Sequence, residues 1–155
     1  MHVGIIADGN RRWAKTHKLT VKQGHKQAYD NIIKFLPYWL EHADMVTIYL
    51  FSHRNWKRTK QEVTEMYELF YDVVKEVDNN PKVNLLINYR PTVQQYPDVD
   101  LVIRTGGRHS LSGFLPIESA FAEFYVIDKL WPDFTIKDFD KALKWFSKQR
   151  RLQGA

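Results

Sequence analysis

Five short runs in this chain are nearly all apolar, rich in β-branched or aromatic residues, and closed by polar or glycine-bearing turns: Val3 to Ala7, Met45 to Phe51, Val83 to Ile87, Leu101 to Ile103 and Glu123 to Ile127. Runs of this kind lack the in-out alternation of a strand with one wet face, so they predict strands buried on both sides. Helical periodicities lie between them. One starts near His25 and puts Ile32, Ile33, Phe35, Leu36, Trp39 and Leu40 on one face. Another opens at Thr59, with Glu62 as a capping-box partner, and runs through Val63, Met66, Leu69, Phe70, Val73 and Val74 until Asn79-Asn80-Pro81 stops it. A short apolar helix is predicted over Leu115 to Phe121, and a last one from Thr135 or Lys137 to Arg150. Strands alternating with helices predict an α/β fold with a mostly parallel central sheet flanked by helices.

No repeat, low-complexity tract or linker divides the 155 residues, which predicts a single domain over 1–155. A hydrophobic share of 44% suffices for one core and excludes a disordered chain. The absence of cysteine excludes a disulfide scaffold, a cysteine-held zinc and a thiol nucleophile. No apolar run reaches the roughly 20 residues needed to span a bilayer. The net charge of +5 suits an acidic ligand without choosing among nucleic acid, an anionic membrane surface and a phosphorylated small molecule.

Parallel sheets bind ligands beyond the carboxyl ends of their strands. Four such ends carry chemistry. Asp8-Gly9-Asn10-Arg11-Arg12-Trp13 sets a carboxylate, a glycine and two arginines at the start of a helix. The arginines can fork onto phosphate oxygens, and a magnesium ion between Asp8 and a diphosphate would reconcile the carboxylate with the anion. Taken alone, the same hexapeptide fits an Asx-turn with surface arginines equally well. Arg104-Thr105-Gly106-Gly107 has the same character, and both ends would open on one crevice. The donor-rich stretch Ser52 to Arg58 and the end at Asn88-Tyr89-Arg90 complete the set. Glu123 is a candidate second metal carboxylate, although a buried glutamate paired with an arginine is the commoner situation. No Walker loop, nucleophile elbow or dinucleotide-binding glycine pattern occurs.

Read together, these segments resemble the cis-prenyltransferases, the undecaprenyl and dehydrodolichyl diphosphate synthase type. The resemblance rests on the run from His2 through Asp8-Gly9-Asn10-Arg11-Arg12-Trp13 to Ala14, on Gly24-His25, and on the run from Phe51 to Arg58. The run from Asp100 through Arg104-Thr105-Gly106-Gly107 and the pentapeptide Leu130-Trp131-Pro132-Asp133-Phe134 follow in family order. The resemblance implies an α/β fold, a hydrophobic tunnel for the prenyl chain, and magnesium-dependent transfer of an allylic prenyl group from its diphosphate to isopentenyl diphosphate with cis geometry. Residue by residue, it implies Asp8 as the catalytic aspartate and magnesium ligand, with Glu123 as the second carboxylate. Gly9, Asn10, Arg11, Arg12, Trp13 and His25 would hold the donor. Asn55 would assist removal of the acceptor proton, with Ser52, His53, Arg54, Trp56 and Arg58 flanking the substrates. Arg104, Ser110, Leu111 and Ser112 would line the acceptor site.

This sequence also departs from the family pattern. Where members carry Glu-x-Arg-x-Ser, it reads Arg108-His109-Ser110-Leu111-Ser112. Val21 replaces a donor-site arginine, Arg54 replaces an acidic residue, Arg11 replaces a glycine, and the C-terminal Arg-x-Gly reads Arg151-Leu152-Gln153. The middle of the chain, from Asn80 to Asp98, is shorter than the family's. Three versions of the activity stay open: elongation with isopentenyl diphosphate, transfer to another allylic diphosphate or a non-isoprenoid C- or O-nucleophile, and a role as catalytic subunit of a heteromer. A homodimer is the family's usual form, and a nucleic-acid partner is not expected. The location expected is cytoplasmic, with peripheral membrane contact because the product is greasy.

Overall fold

The computed structural model describes residues 1–77, 80–89 and 93–149. Five strands form one wholly parallel sheet: β1 (His2–Ile6), β2 (Met45–Ser52), β3 (Val83–Tyr89), β4 (Leu101–Thr105) and β5 (Glu123–Ile127). Their spatial order is β3-β2-β1-β4-β5. The helices are α1 (Asn10–Thr16), α2 (Val21–His42), α3 (Lys60–Val77) and α4 (Ile136–Phe146), with 3-10 turns at His53–Lys57 and Trp131–Asp133.

Side-chain alternation divides the core in two. Val3 and Ile5, Val46, Ile48 and Leu50, and Leu101 and Ile103 point toward α2, α3 and α4 and join the larger cluster around Trp39, Phe70 and Phe139. Ile6, Tyr49, Leu86 and Val102 point the other way and meet Val99, Phe114 and Leu115. That second face is closed by irregular chain before β4 and before β5 rather than by helices. The predicted helix over Leu115 to Phe121 is therefore absent: the segment is a series of turns. Leu115 has φ +31 and is buried, whereas Phe121 is 99% exposed, so this apolar stretch is divided between core and surface.

The remaining boundaries shift modestly. α2 begins at Val21 because Thr20 and Gln23 form a capping box. α4 ends at Phe146, and Asn79, Arg90 and Arg150 lie outside the described residues, as does the run from Arg151. No helix among the described residues is long and apolar enough to cross a membrane.

Strand order fixes where a ligand can enter. From the central β1 the chain proceeds outward through β2 and β3, then returns to the other side of β1 for β4 and β5. The reversal creates a crevice beyond the carboxyl ends of β1 and β4, the position where parallel sheets take ligands. Asp8 follows β1, and Arg104 and Thr105 close β4.

Candidate active site

Backbone and side chain lock the two strand ends together. Asp8 N donates to Thr105 Oγ1 at 3.0 Å, and Thr105 Oγ1 donates to Asp8 O at 2.8 Å. Trp131 N also donates to Asp8 O, at 3.0 Å. With its backbone held, the Asp8 side chain reaches two arginines. Arg104 Nη2 donates to Asp8 Oδ2 at 2.9 Å, and Arg12 Nη2 stands 3.5 Å from Oδ1. Arg104 also donates through Nη1 to Ser112 Oγ at 2.7 Å and to the carbonyl of Ser110. Arg12 Nη1 donates to Gly106 O at 3.0 Å. Gly106 sits at φ +83, which favours glycine, and a Cβ there would push aside the end of the Arg12 guanidinium.

Two cavities flank Asp8. The larger, about 680 Å³, is lined by Asp8, Gly9, Asn10, Arg11, Arg12 and Lys15, with Leu19, Val21, His25 and Arg58 beyond. The smaller, about 260 Å³, is lined by Asp8, Tyr49, Ser52, Arg54, Asn55 and Arg58, and also by Arg104, Arg108 and Ser112. Asp8, Asn10, His25 and Arg58 border both. Three buried polar atoms at these walls, Asn10 Oδ1, His25 Nδ1 and Arg104 Nε, have no hydrogen-bond partner among the described residues. Buried polar atoms are seldom left unpaired, so these mark places where a polar ligand or water belongs.

Gly24 lets α2 press onto α1, since a Cβ there would come within 2.7 Å of Asn10 O and 2.8 Å of Ala14 Cβ. The next residue, His25, is 3% exposed. Burial, reinforced by the neighbouring Arg58 guanidinium, lowers its pKa below the ordinary 6.5. Burial likewise raises the Tyr29 hydroxyl well above its usual range, so it stays protonated.

Not every residue expected at the site reaches a cavity wall. Trp13 donates Nε1 to Asp133 at 2.7 Å and stacks on His17, tying α1 to the turn after β5. Trp56 donates to Asn88 Oδ1 at 2.8 Å and packs edge-on against Phe51. His53 is exposed on the 3-10 turn, and Leu111 packs against the second core cluster. Asn55 lines the smaller cavity, but its Oδ1 accepts from Ser52 N at 2.7 Å and Ser52 Oγ at 2.9 Å. The amide nitrogen is the part left for a ligand.

Glu123 stands at the other end of the sheet from Asp8. It opens β5 opposite Leu101, while Asp8 lies beyond Ile6, which pairs with Arg104. The strand between those levels is about 10 Å long, so one chain does not bring the two carboxylates together. Among the described residues no group of three or more His, Asp or Glu side chains could hold a metal. The donor set still fits magnesium, which takes one or two carboxylates plus phosphate oxygens and water. Asp8 supplies one carboxylate beside a cavity walled by Arg11, Arg12, Lys15 and Arg58, cations suited to phosphate oxygens.

The motif reading missed Lys15 and Glu62. Lys15, in the last turn of α1, adds a cation to the wall where Val21 offers none. Glu62 N does donate to Thr59 Oγ1 at 3.2 Å, but the glutamate carboxylate turns inward, accepting from Arg58 Nη1 at 2.7 Å.

Comparison with known proteins shows the family and the fold. The undecaprenyl diphosphate synthase family model matches residues 6–95 and 79–154. An isoprenyl transferase of Rickettsia prowazekii is 30% identical over 219 aligned positions, covering 99% of this chain and 97% of the relative. That alignment is 64 positions longer than the chain itself. A ditrans,polycis-undecaprenyl-diphosphate synthase of Photorhabdus laumondii, specific for (2E,6E)-farnesyl diphosphate, is 29% identical over 225 positions, covering 99% of this chain and 89% of that one. The crystal structure of lavandulyl diphosphate synthase from Lavandula x intermedia, in complex with dimethylallyl diphosphate, superposes with a TM-score of 0.85 at 23% identity. The match covers 97% of this chain and 96% of that chain and shows a shared fold.

Proposed function

Since the chain belongs to the undecaprenyl diphosphate synthase family and is an enzyme that transfers prenyl groups, we propose that it moves an allylic prenyl group from its diphosphate to isopentenyl diphosphate, with magnesium and cis geometry. The observation that carries this reading is the position of Asp8. One carboxylate at the sheet's reversal point borders two cavities, and both are walled with arginines.

The larger cavity takes the allylic donor. Arg11, Arg12, Lys15, His25 and Arg58 surround its diphosphate, and Leu19 and Val21 begin an apolar wall beside them. As the allylic C–O bond breaks, negative charge grows on the departing diphosphate, and fixed guanidinium groups favour that charge over the ground state. Magnesium, when bound, would be held by Asp8 and phosphate oxygens and would neutralise part of the same charge. The smaller cavity takes the acceptor, with Arg104, Arg108 and Ser112 for its diphosphate. Asn55 contributes amide N–H groups rather than a base, because its oxygen is held by Ser52. The acceptor's double bond attacks the allylic carbon across Asp8 as the C–O bond breaks and its electron pair leaves with the diphosphate. A proton lost from the acceptor passes to a diphosphate oxygen or to water and leaves the new double bond.

A different acceptor is the second reading, favoured by Ser110: it offers its carbonyl to Arg104 and stands where the family has an arginine. Incubation with magnesium and labelled allylic diphosphates of increasing length, with and without isopentenyl diphosphate, separates the two. Product formed only with isopentenyl diphosphate supports elongation, and product formed without it supports the alternative.

A further inference from the structure

Glu62 lines neither cavity, yet three groups from three parts of the chain converge on its Oε1. Arg58 Nη1 donates to it at 2.7 Å, His25 Nε2 lies at 3.4 Å, and Arg11 Nε at 3.7 Å. Arg11 comes from α1, His25 from α2, and Arg58 from the turn before α3. All three line the larger cavity. The Glu62 side chain is only 11% exposed. Arg58 is further confined by His25 Nε2 and Met66 Sδ, each 3.3 Å from its Nη1.

We propose that Glu62 is a positioning residue for the diphosphate cradle. It does not touch substrate; it holds Arg11, Arg58 and His25 in the arrangement that the diphosphate meets. The inference rests on the diphosphate reading given above and adds the carboxylate that organises that site. Long cationic side chains lose rotamer freedom when they grip a ligand, and a carboxylate that has already ordered them reduces that loss on binding.

A competing role makes the opposite prediction. If Glu62 served only to cancel charge, its removal would leave the cavity one unit more positive and tighten the hold on an anion. A positioning carboxylate gives looser binding when removed, despite the added positive charge. The sign of the change therefore separates the two roles.

The test is calorimetric titration of the full chain with inorganic diphosphate in magnesium-free buffer, comparing wild type, Glu62→Gln and Glu62→Asp, each checked for a cooperative thermal melt. The aspartate variant keeps the charge and withdraws the carboxylate, so any loss it shows is geometric. The expected result is at least about tenfold weaker binding for Glu62→Gln and a smaller, several-fold loss for Glu62→Asp. Equal or tighter binding by Glu62→Gln, or wild-type affinity in Glu62→Asp, would overturn the inference. If the glutamine variant does not fold, the aspartate variant decides alone. A wild-type chain that ignores diphosphate would overturn the proposed function and this inference together, whereas equal binding by all three would overturn the inference alone.

Discussion

Arg104 and Asp8 form an ion pair across the reversal point of the sheet, with Nη2 2.9 Å from Oδ2. The arginine side chain is 3% exposed and the aspartate 31%. Arg12 stands at the other carboxylate oxygen, 3.5 Å away. Without ligand, arginines therefore satisfy the carboxylate. Diphosphates that draw Arg12 in the larger cavity and Arg104 in the smaller onto their own oxygens release Asp8 for a cation.

Metal and diphosphate should accordingly reinforce each other. Magnesium affinity, corrected for the complex the metal forms with diphosphate in solution, should rise at least about tenfold when inorganic diphosphate is present, and the coupling must be reciprocal. In Asp8→Asn the coupling should vanish. Equal magnesium affinity with and without diphosphate would contradict the exchange of partners.

Arg108 lines the smaller cavity and makes no ion pair or hydrogen bond with a described residue. It stands free to meet the acceptor's diphosphate. Arg108→Ala should raise KM for isopentenyl diphosphate about tenfold, the size expected for one charge-assisted contact of about 1.5 kcal/mol, and leave the donor KM nearly unchanged. Steady-state kinetics with each substrate varied in turn will show whether the change falls on the acceptor alone.

His2 and His25 have pKa values lowered from the ordinary 6.5, in both cases chiefly by burial. The unfolded chain binds protons that the native state refuses between the lowered values and 6.5. Stability therefore rises with pH through that interval and levels off above it. Thermal melts from pH 5 to pH 8 should show this limb, reduced in His25→Asn. A melting temperature independent of pH below 6.5 would contradict the assignment of both imidazoles as neutral in the fold.

Gly106→Ala should cost about 1–3 kcal/mol of stability, because alanine resists a positive φ. It should also displace Arg12, whose guanidinium occupies the space of the new methyl group. Urea unfolding measures the first effect, and a raised KM for the allylic donor reports the second. A variant as stable and as active as wild type would show that the loop can shift without loss.

The strands were legible because a fully parallel sheet demands continuous apolar runs, as in Val46, Ile48 and Leu50 alternating with Tyr49 toward the two core clusters. The strand-end motifs were legible for the same reason: Asp8 and Arg104 had to emerge on one side of the sheet. Long-range partners were not. Glu62 has a local reading as a helix cap, and its alliance with His25 depends on how α2 packs beside α3. The stretch from Leu115 to Phe121 has helical composition, but its first residue, Leu115, is taken by the second sheet face. Glu123 belongs to a recognisable motif whose level in the sheet appears only when β4 and β5 are in register. Trp13 and Trp56 lie in motif segments, yet their ring nitrogens are engaged by Asp133 and Asn88.

The most direct measurement follows diphosphate release from a labelled allylic diphosphate in the presence of magnesium and isopentenyl diphosphate, comparing wild type with Asp8→Ala. Wild type should release one diphosphate for each prenyl unit transferred. Asp8→Ala should keep its cooperative melt and lose the reaction by about a hundredfold or more, corresponding to roughly 2.7 kcal/mol or more of lost transition-state stabilisation. Undiminished release by a folded Asp8→Ala chain would contradict an active site built around that carboxylate.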